Sequence, residues 1–99
     1  MTKQIPEEIK RGMELLDREV PFWRAHIDPE ELNMKWCAAC ILGQLFGDYR
    51  TGLVKLGILE YENQEIDPET EEQIINLGFQ ASGHAWDKLT RNWKEVLES

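Results

Sequence analysis

Apolar positions along the chain follow helical spacing in several separate segments. In the first segment, four apolar side chains lie at spacings of four, three and four residues: Ile9, Met13, Leu16 and Val20. That spacing places them on one face of a helix. Pro6 suits the first turn of a helix, whereas Pro21 cannot continue one. The pattern therefore predicts an amphipathic helix between these two prolines.

The most apolar run of the chain covers residues 36–46, in which only Gln44 is polar. A helix that is apolar nearly all round belongs inside a domain. Gly43 costs such a helix about 1 kcal/mol relative to alanine, which indicates that a neighbouring backbone comes close there. We therefore expect a central buried helix over residues 36–46, ended by Gly47.

Two Asp-Pro pairs predict further helix starts, because aspartate can cap a helix and proline fits its first turn. Asp28-Pro29 predicts a short helical turn, and Asp67-Pro68 predicts a helix that ends at Gly78. Residues 49–56 read as another short helix, and residues 58–66 as a loop. The apolar stripe of the final predicted helix consists of Trp86, Leu89, Trp93, Val96 and Leu97.

These elements predict an all-α fold of five or six short helices packed around the 36–46 helix. A chain of 99 residues suits one domain with one modest core, so residues 1–99 are expected to form a single unit. No apolar run reaches the roughly 18–20 residues of a membrane span. The N-terminus also lacks the apolar centre of a signal peptide, so we expect a cytoplasmic protein with no membrane contact.

Charge is distributed unevenly along the chain. The formal net charge is -8, and residues 56–87 hold eight Asp or Glu and no Lys or Arg. Such a segment should repel a phosphate backbone, so direct nucleic-acid binding is not expected. The segment is either a solvated face with helix-capping charge or a surface for a basic partner, in the extreme a mimic of nucleic acid.

Two cysteines, Cys37 and Cys40, are spaced as residues on one helix face. Together with His26 and His84 they could supply four zinc ligands, but the spacing is unlike that of zinc fingers. A redox site would need a preceding strand, which the pattern does not predict. We favour two buried core cysteines, with no bound metal and no cofactor.

The candidate partner-binding residues are aromatic and charged positions in predicted turns. Trp23 beside Arg24 would make a binding anchor if it were exposed, since these residue types dominate interface energetics. The alternative places Phe22 and Trp23 under the core, while Trp36, Trp86 and Trp93 occupy core positions of predicted helices. The acidic candidates are Glu60, Glu62, Glu65 and Glu69.

No catalytic motif stands out, so an enzyme is not expected. A small-molecule binder, such as a sponge for a signalling nucleotide, would need basic residues that converge on phosphates. The candidates for that role are Arg50, Lys55 and Arg91. A structural or self-assembling protein is a further alternative.

A resemblance adds context to these residues. Residues 37–47, then Tyr49, Gly52-Leu53, Leu56-Gly57 and residues 77–79, with the spaced Trp86, Leu89 and Trp93, resemble small proteins encoded by tailed phages of Gram-positive bacteria. The resemblance covers roughly residues 8–97 and rests on apolar and glycine positions, so it implies a shared fold. It also implies an accessory protein in the host cytoplasm that binds a host or phage protein. Such a protein can act as an inhibitor or an anti-defence factor.

Overall fold

The helices begin and end largely at the residues that restrict the backbone. The computed structural model describes residues 5–81, 83 and 85–98. Within these residues the chain forms no strand and the following helices: α1 (Glu7–Glu19), a 3-10 helix (Trp23–His26), α2 (Ile41–Phe46), α3 (Tyr49–Lys55), α4 (Pro68–Asn76) and α5 (Trp86–Glu98). The all-α prediction is confirmed, as are the helices predicted after Pro6, at 49–56, after Asp67 and from Trp86.

Three aromatic rings pack together in the core, which also includes Ile41 and Leu42. Trp93 of α5 meets Trp23 edge to face at 5.9 Å between ring centroids and stacks on Phe79 at 6.0 Å. All three side chains are buried. Aromatic pairs in these geometries add about 0.5–1.5 kcal/mol each beyond the area they bury.

Helix α1 packs close to this aromatic centre because it carries a glycine there. A Cβ atom at Gly12 would overlap the carbonyl oxygen of Leu77 and lie 3.2 Å from the Trp93 ring. Ile9 and Leu16 of the predicted stripe are buried on the same helix. The absent side chain at Gly12 thus lets α1 contact both the end of α4 and the indole of α5.

The prediction of one buried helix over residues 36–46 is wrong in its first half. Helix α2 begins only at Ile41, and residues 36–40 form turns in which Ala39 N and Cys40 N both donate to the Trp36 carbonyl. Cys40 caps α2, since its Sγ accepts from Gly43 N at 3.2 Å. Trp36, predicted as a core residue, is 63 % exposed.

Gly43 explains why the run folds back instead of continuing as a helix. A Cβ atom at Gly43 would overlap the carbonyl oxygen of Cys37 and lie 2.8 Å from Ala38 Cα. The close backbone expected at this glycine is therefore present, and it belongs to the turn immediately before α2. Burial in the run begins at Cys40: residues 40–43 are buried, with Ile41 and Leu42 fully enclosed, and residues 44–46 are half-buried.

Gln44, the one polar residue of the run, forms hydrogen bonds that connect α2 to Asp28 and Ala39. Its side chain accepts from Asp28 N at 2.6 Å and donates to the carbonyls of Asp28 and Ala39. At Asp28-Pro29 the chain forms a short hydrogen-bonded turn and not a longer helix: Glu31 N donates to the Asp28 carbonyl at 3.2 Å and Leu32 N to the Pro29 carbonyl at 3.4 Å. Asp28 Oδ1 also accepts from Glu30 N. Ile27 and Leu32 on either side of that turn are nevertheless buried.

Among the described residues, no helix is both long and apolar enough to cross a bilayer. The longest, α1 and α5, contain 13 residues each. Both are amphipathic, with buried residues on one face, and both therefore require the shared core for their stability.

Candidate protein-binding surface

The surface that differs most in charge from the rest of the molecule is formed by residues 60–72, hereafter the acidic surface. It includes the loop before α4 and the first half of α4. Seven of its side chains are carboxylates, and all seven are exposed: Glu60, Glu62, Glu65, Asp67, Glu69, Glu71 and Glu72. None of the seven forms an ion pair within the part of the chain that the structure describes. Within the described residues no cation therefore neutralises this charge at ion-pair distance, although Glu62, Asp67 and Glu71 each accept a hydrogen bond.

Arg50 of α3 holds the loop part of this surface in one conformation. Its Nη1 donates to the backbone carbonyls of Glu62 at 3.0 Å and Gln64 at 2.8 Å. Thr51, the next residue of α3, donates its hydroxyl to the carboxylate of Glu62. The Arg50 guanidinium donates to carbonyl oxygens and to no carboxylate of the described residues, so it forms no ion pair with the acidic surface.

The loop also closes on itself through Gln64. The Gln64 side chain accepts from Glu60 N at 2.7 Å, and Gln64 N donates to the Tyr61 carbonyl at 3.1 Å. Leu59, immediately before the loop, is buried and anchors it to the core. These contacts fix the loop before any partner arrives, which lowers the entropy cost of binding.

Tyr61 lies at the turn of this loop and is 59 % exposed. It stands between two carboxylate residues, Glu60 and Glu62. It lies in the segment 58–66, which the sequence predicts as a loop. A tyrosine ring can bury a large apolar area at low entropy cost, and its face attracts lysine and arginine side chains.

The helix that continues the acidic surface is capped by one of its own carboxylates. Asp67 Oδ1 accepts from Thr70 N at 2.7 Å, and Pro68 occupies the first helical position. The hydrogen bond from the Thr70 backbone, followed by that from its side chain, lowers the pKa of Asp67 below its ordinary value of 3.8. Asp67 is therefore ionised at neutral pH and contributes to both the helix and the surface charge.

A shallow hollow of about 410 Å³ lies beside the acidic surface, between α1 and α4. Glu69 and Glu72 line it from α4, and Arg11 lines it from α1. The Arg11 Nε donates to the Asn76 carbonyl at 2.9 Å. The hollow thus extends the acidic surface toward α1 and holds one cation that is engaged by backbone.

Trp23 is not the exposed anchor considered from the sequence, since only 1 % of it is accessible. Its Nε1 donates to Asp17 Oδ1 at 2.7 Å. Arg24 remains exposed, but its guanidinium carbon lies 5.2 Å from the centroid of the Trp23 ring and its Nη1 reaches the Val96 carbonyl. The pair stabilises the fold, and Phe22 is the aromatic residue of this turn that is exposed, at 81 %.

The three basic residues considered for a phosphate site lie outside the four cavities formed by described residues. Arg50 is engaged by the 60–64 loop, whereas Lys55 at the end of α3 and Arg91 on α5 are exposed. Four surface cavities of about 170 to 410 Å³ have other linings, and none of these three residues lines any of the four.

The two cysteines have different surroundings, so the prediction that both are buried is half wrong. Cys40 is buried and Cys37 is exposed. Burial raises the pKa of the Cys40 thiol, and burial likewise raises the pKa of Tyr49 nearby.

The two histidines considered as zinc ligands are not placed beside the cysteines by the described residues: His26 is exposed in the 3-10 helix, and His84 lies outside the described residues. No three His, Cys, Asp or Glu side chains of the described chain are placed to share a metal ion.

Two features of the surface were not predicted from the sequence. The exposed position of Trp36 has one local indication, Asn33, whose side chain accepts from Lys35 N and starts the turn. The role of Arg50 in ordering the acidic loop has none, because the two are separated by 12 and 14 residues. No known family, curated protein or solved structure matches the chain in comparison.

Proposed function

We propose that the protein is a non-enzymatic binding protein whose acidic surface takes a basic segment of a partner protein. The observation that supports this most directly is the ordered 60–64 loop. It presents Tyr61 between Glu60 and Glu62, neither of which forms an ion pair within the described residues, and Arg50 donates hydrogen bonds to its backbone. An exposed aromatic ring surrounded by uncompensated charge of one sign combines a central contact with electrostatic selection of the partner.

In this proposal, different parts of the acidic surface have different roles in binding the partner. Tyr61 provides the apolar contact and a ring face for a lysine or arginine side chain. Glu60, Glu62 and Glu65 select the positive partner and accelerate its approach, an effect that weakens as salt rises. Glu69 and Glu72 extend the contact along α4 and the adjoining hollow.

We extend the proposal to the context that the phage resemblance implies. The protein then acts as an accessory factor in the host cytoplasm, and its partner is a host or phage protein that it inhibits. A partner whose basic groove normally holds nucleic acid is the special case in which residues 60–72 occupy the place of a phosphate backbone. That case predicts competition between this protein and nucleic acid for the partner.

The first experiment compares two variants that change net charge equally. Glu60, Glu62 and Glu65 are replaced by glutamine in one variant, and the exposed Glu14, Glu30 and Glu31 in the control. Each variant and the wild type capture proteins from a host lysate, and quantitative mass spectrometry identifies those lost only with the first variant. A captured set that is the same for both variants would contradict the proposal.

The second experiment measures the affinity of the identified partner at about 50 and 300 mM salt. We expect affinity to fall steeply with salt and to fall about tenfold or more in Tyr61→Ala, a loss typical of an aromatic interface anchor. Phe22→Ala is the matched control, because Phe22 is exposed outside the acidic surface. Affinity that is independent of salt, or equal losses in the two alanine variants, would refute the assignment of this surface.

A further inference from the structure

A cleft on the other side of α3 contains three of the sulfur-bearing side chains. The cleft has a volume of about 260 Å³, and Met34, Cys37 and Cys40 line it together with Tyr49 and Trp86. The chain has two cysteines and three methionines in all. Both cysteines and one methionine therefore line a single small cavity.

The turn before α2 brings the backbone of Cys37 next to the thiol of Cys40. The backbone of Cys40 donates to the Trp36 carbonyl at 2.9 Å, which reverses the chain over the two residues that separate the cysteines. Cys40 Sγ lies 3.6 Å from the Cys37 carbonyl oxygen and accepts from Gly43 N. Because Gly43 has no Cβ, the Cys37 backbone approaches the start of α2 closely.

The other groups of the cleft exclude most classes of metal ion. Calcium and magnesium need carboxylate or carbonyl oxygens, and no Asp or Glu lines the cleft. The Tyr49 hydroxyl donates to Gln80 Oε1, and the Gln80 amide donates to Glu71. Structural zinc takes four ligands, whereas the described residues provide no third His, Cys, Asp or Glu beside the cysteines.

A soft monovalent cation is the class that this donor set fits, since thiolate and thioether ligands select Cu(I). We propose that Cys37 and Cys40 bind one Cu(I) ion as thiolates, with the Met34 thioether as a supporting ligand. Two S–H bonds break and release two protons to solvent, two Cu–S bonds form, and copper keeps its oxidation state. The resulting unit carries one negative charge. The Lys35 ammonium at the cleft and the Gly43 N–H at Cys40 Sγ offset that charge.

The test is an anaerobic titration of the reduced, full-length protein with Cu(I) in the presence of the chromophoric chelator bicinchoninate. We expect one Cu(I) per monomeric chain to be withdrawn from the chelator. Cys37→Ser should abolish the withdrawal without unfolding the protein, because Cys37 is exposed. Met34→Leu should weaken binding by about tenfold, within the range for loss of a supporting group at a metal site.

Met13→Leu is the matched control, because Met13 lies on α1 outside the cleft, and it should bind as the wild type does. Circular dichroism of each variant verifies the fold. The proposal is overturned if the chelator keeps the copper, if Cys37→Ser withdraws as much as the wild type, or if one copper links two chains. It is also overturned if zinc competes equally at the same site.

Discussion

The indole Nε1 of Trp93 donates a hydrogen bond of 2.6 Å to the backbone carbonyl of Gly78, and the bond is buried. Gly78 has a positive φ of 74° and ends the segment that follows α4. The bond therefore connects α5 to the end of α4 at a point where water cannot replace it. Because the same indole contacts Trp23 and Phe79, one side chain joins three separate parts of the chain.

Replacing Trp93 by phenylalanine should destabilise the protein by about 2–4 kcal/mol. The change leaves the buried Gly78 carbonyl without its donor, and it opens space beside Trp23. Urea denaturation followed by circular dichroism measures the free energy of unfolding. Phe22→Ala removes a larger part of an aromatic side chain that is 81 % exposed, and it should change that free energy by no more than about 0.5 kcal/mol. Equal effects of the two substitutions would show that the Trp93 contacts do not hold the core.

Gly12→Ala tests the close packing of α1, because the sign of its effect on the free energy of unfolding depends on that packing. In an open helix the alanine would stabilise by about 1 kcal/mol, because glycine is the poorer helix former. Here the new methyl group would overlap the Leu77 carbonyl and press on Trp93 at 3.2 Å. We expect a loss of about 1–3 kcal/mol in the free energy of unfolding, as for an overpacked core. A stabilised variant would mean that α1 does not lie this close to α4 and α5.

The sequence was sufficient to predict those helices whose ends are set by a proline, a capping aspartate or a glycine. Pro6, the Asp67-Pro68 pair and Gly78 act on the backbone next to them, so their effect could be read without knowing the fold. The apolar stripe of α5 could also be assigned to the core from the sequence, because a helix with one apolar face must bury that face. The acidic residues were also correctly expected at the surface, since unpaired carboxylates are rarely buried.

The interior of the 36–46 run could not be read in the same way. Apolar composition alone does not distinguish a buried helix from a turn, and the decisive contact is between Gly43 and the Cys37 backbone six residues earlier. Trp23 was ambiguous for a related reason. Its burial depends on α5, which lies 70 residues further along the chain at Trp93. Contacts over such distances leave no periodic pattern at either residue.

Arg50→Met should loosen the acidic loop while leaving α3 folded. The substitution keeps the aliphatic part of the side chain but removes the donors to the Glu62 and Gln64 carbonyls. We expect a loss of about 1 kcal/mol in the free energy of unfolding, the typical net value of a partly exposed hydrogen-bonded contact. Hydrogen exchange should become faster at the backbone amides of Glu60 and Gln64, which bond within the loop.

Lys55→Met is the control for this substitution, because it removes one exposed positive charge from the same helix. It should leave the exchange rates in the 60–64 loop unchanged. If both variants accelerate exchange equally, the loop responds to charge alone, and the hydrogen bonds from Arg50 do not order it.

Asp67 should make the stability of α4 depend on pH in the acidic range. The hydrogen bonds from Thr70 lower the pKa of Asp67 in the folded protein below 3.8, its ordinary value. Protonation is thus more favourable in the unfolded chain. The stabilisation by the carboxylate is fully present above pH 3.8 and is lost as the pH falls through the lower pKa of the folded state.

Wild type and Asp67→Asn are therefore compared by thermal unfolding between about pH 2 and 7, so that the titration of all other carboxylates cancels. We expect the wild type to be more stable near neutral pH and the difference to decrease on acidification. Glu69→Gln removes a carboxylate from the same turn but leaves the Asp67 cap, and it should show a smaller pH-dependent difference. A constant difference between wild type and Asp67→Asn over this range would mean that the charge of Asp67 does not act through the cap.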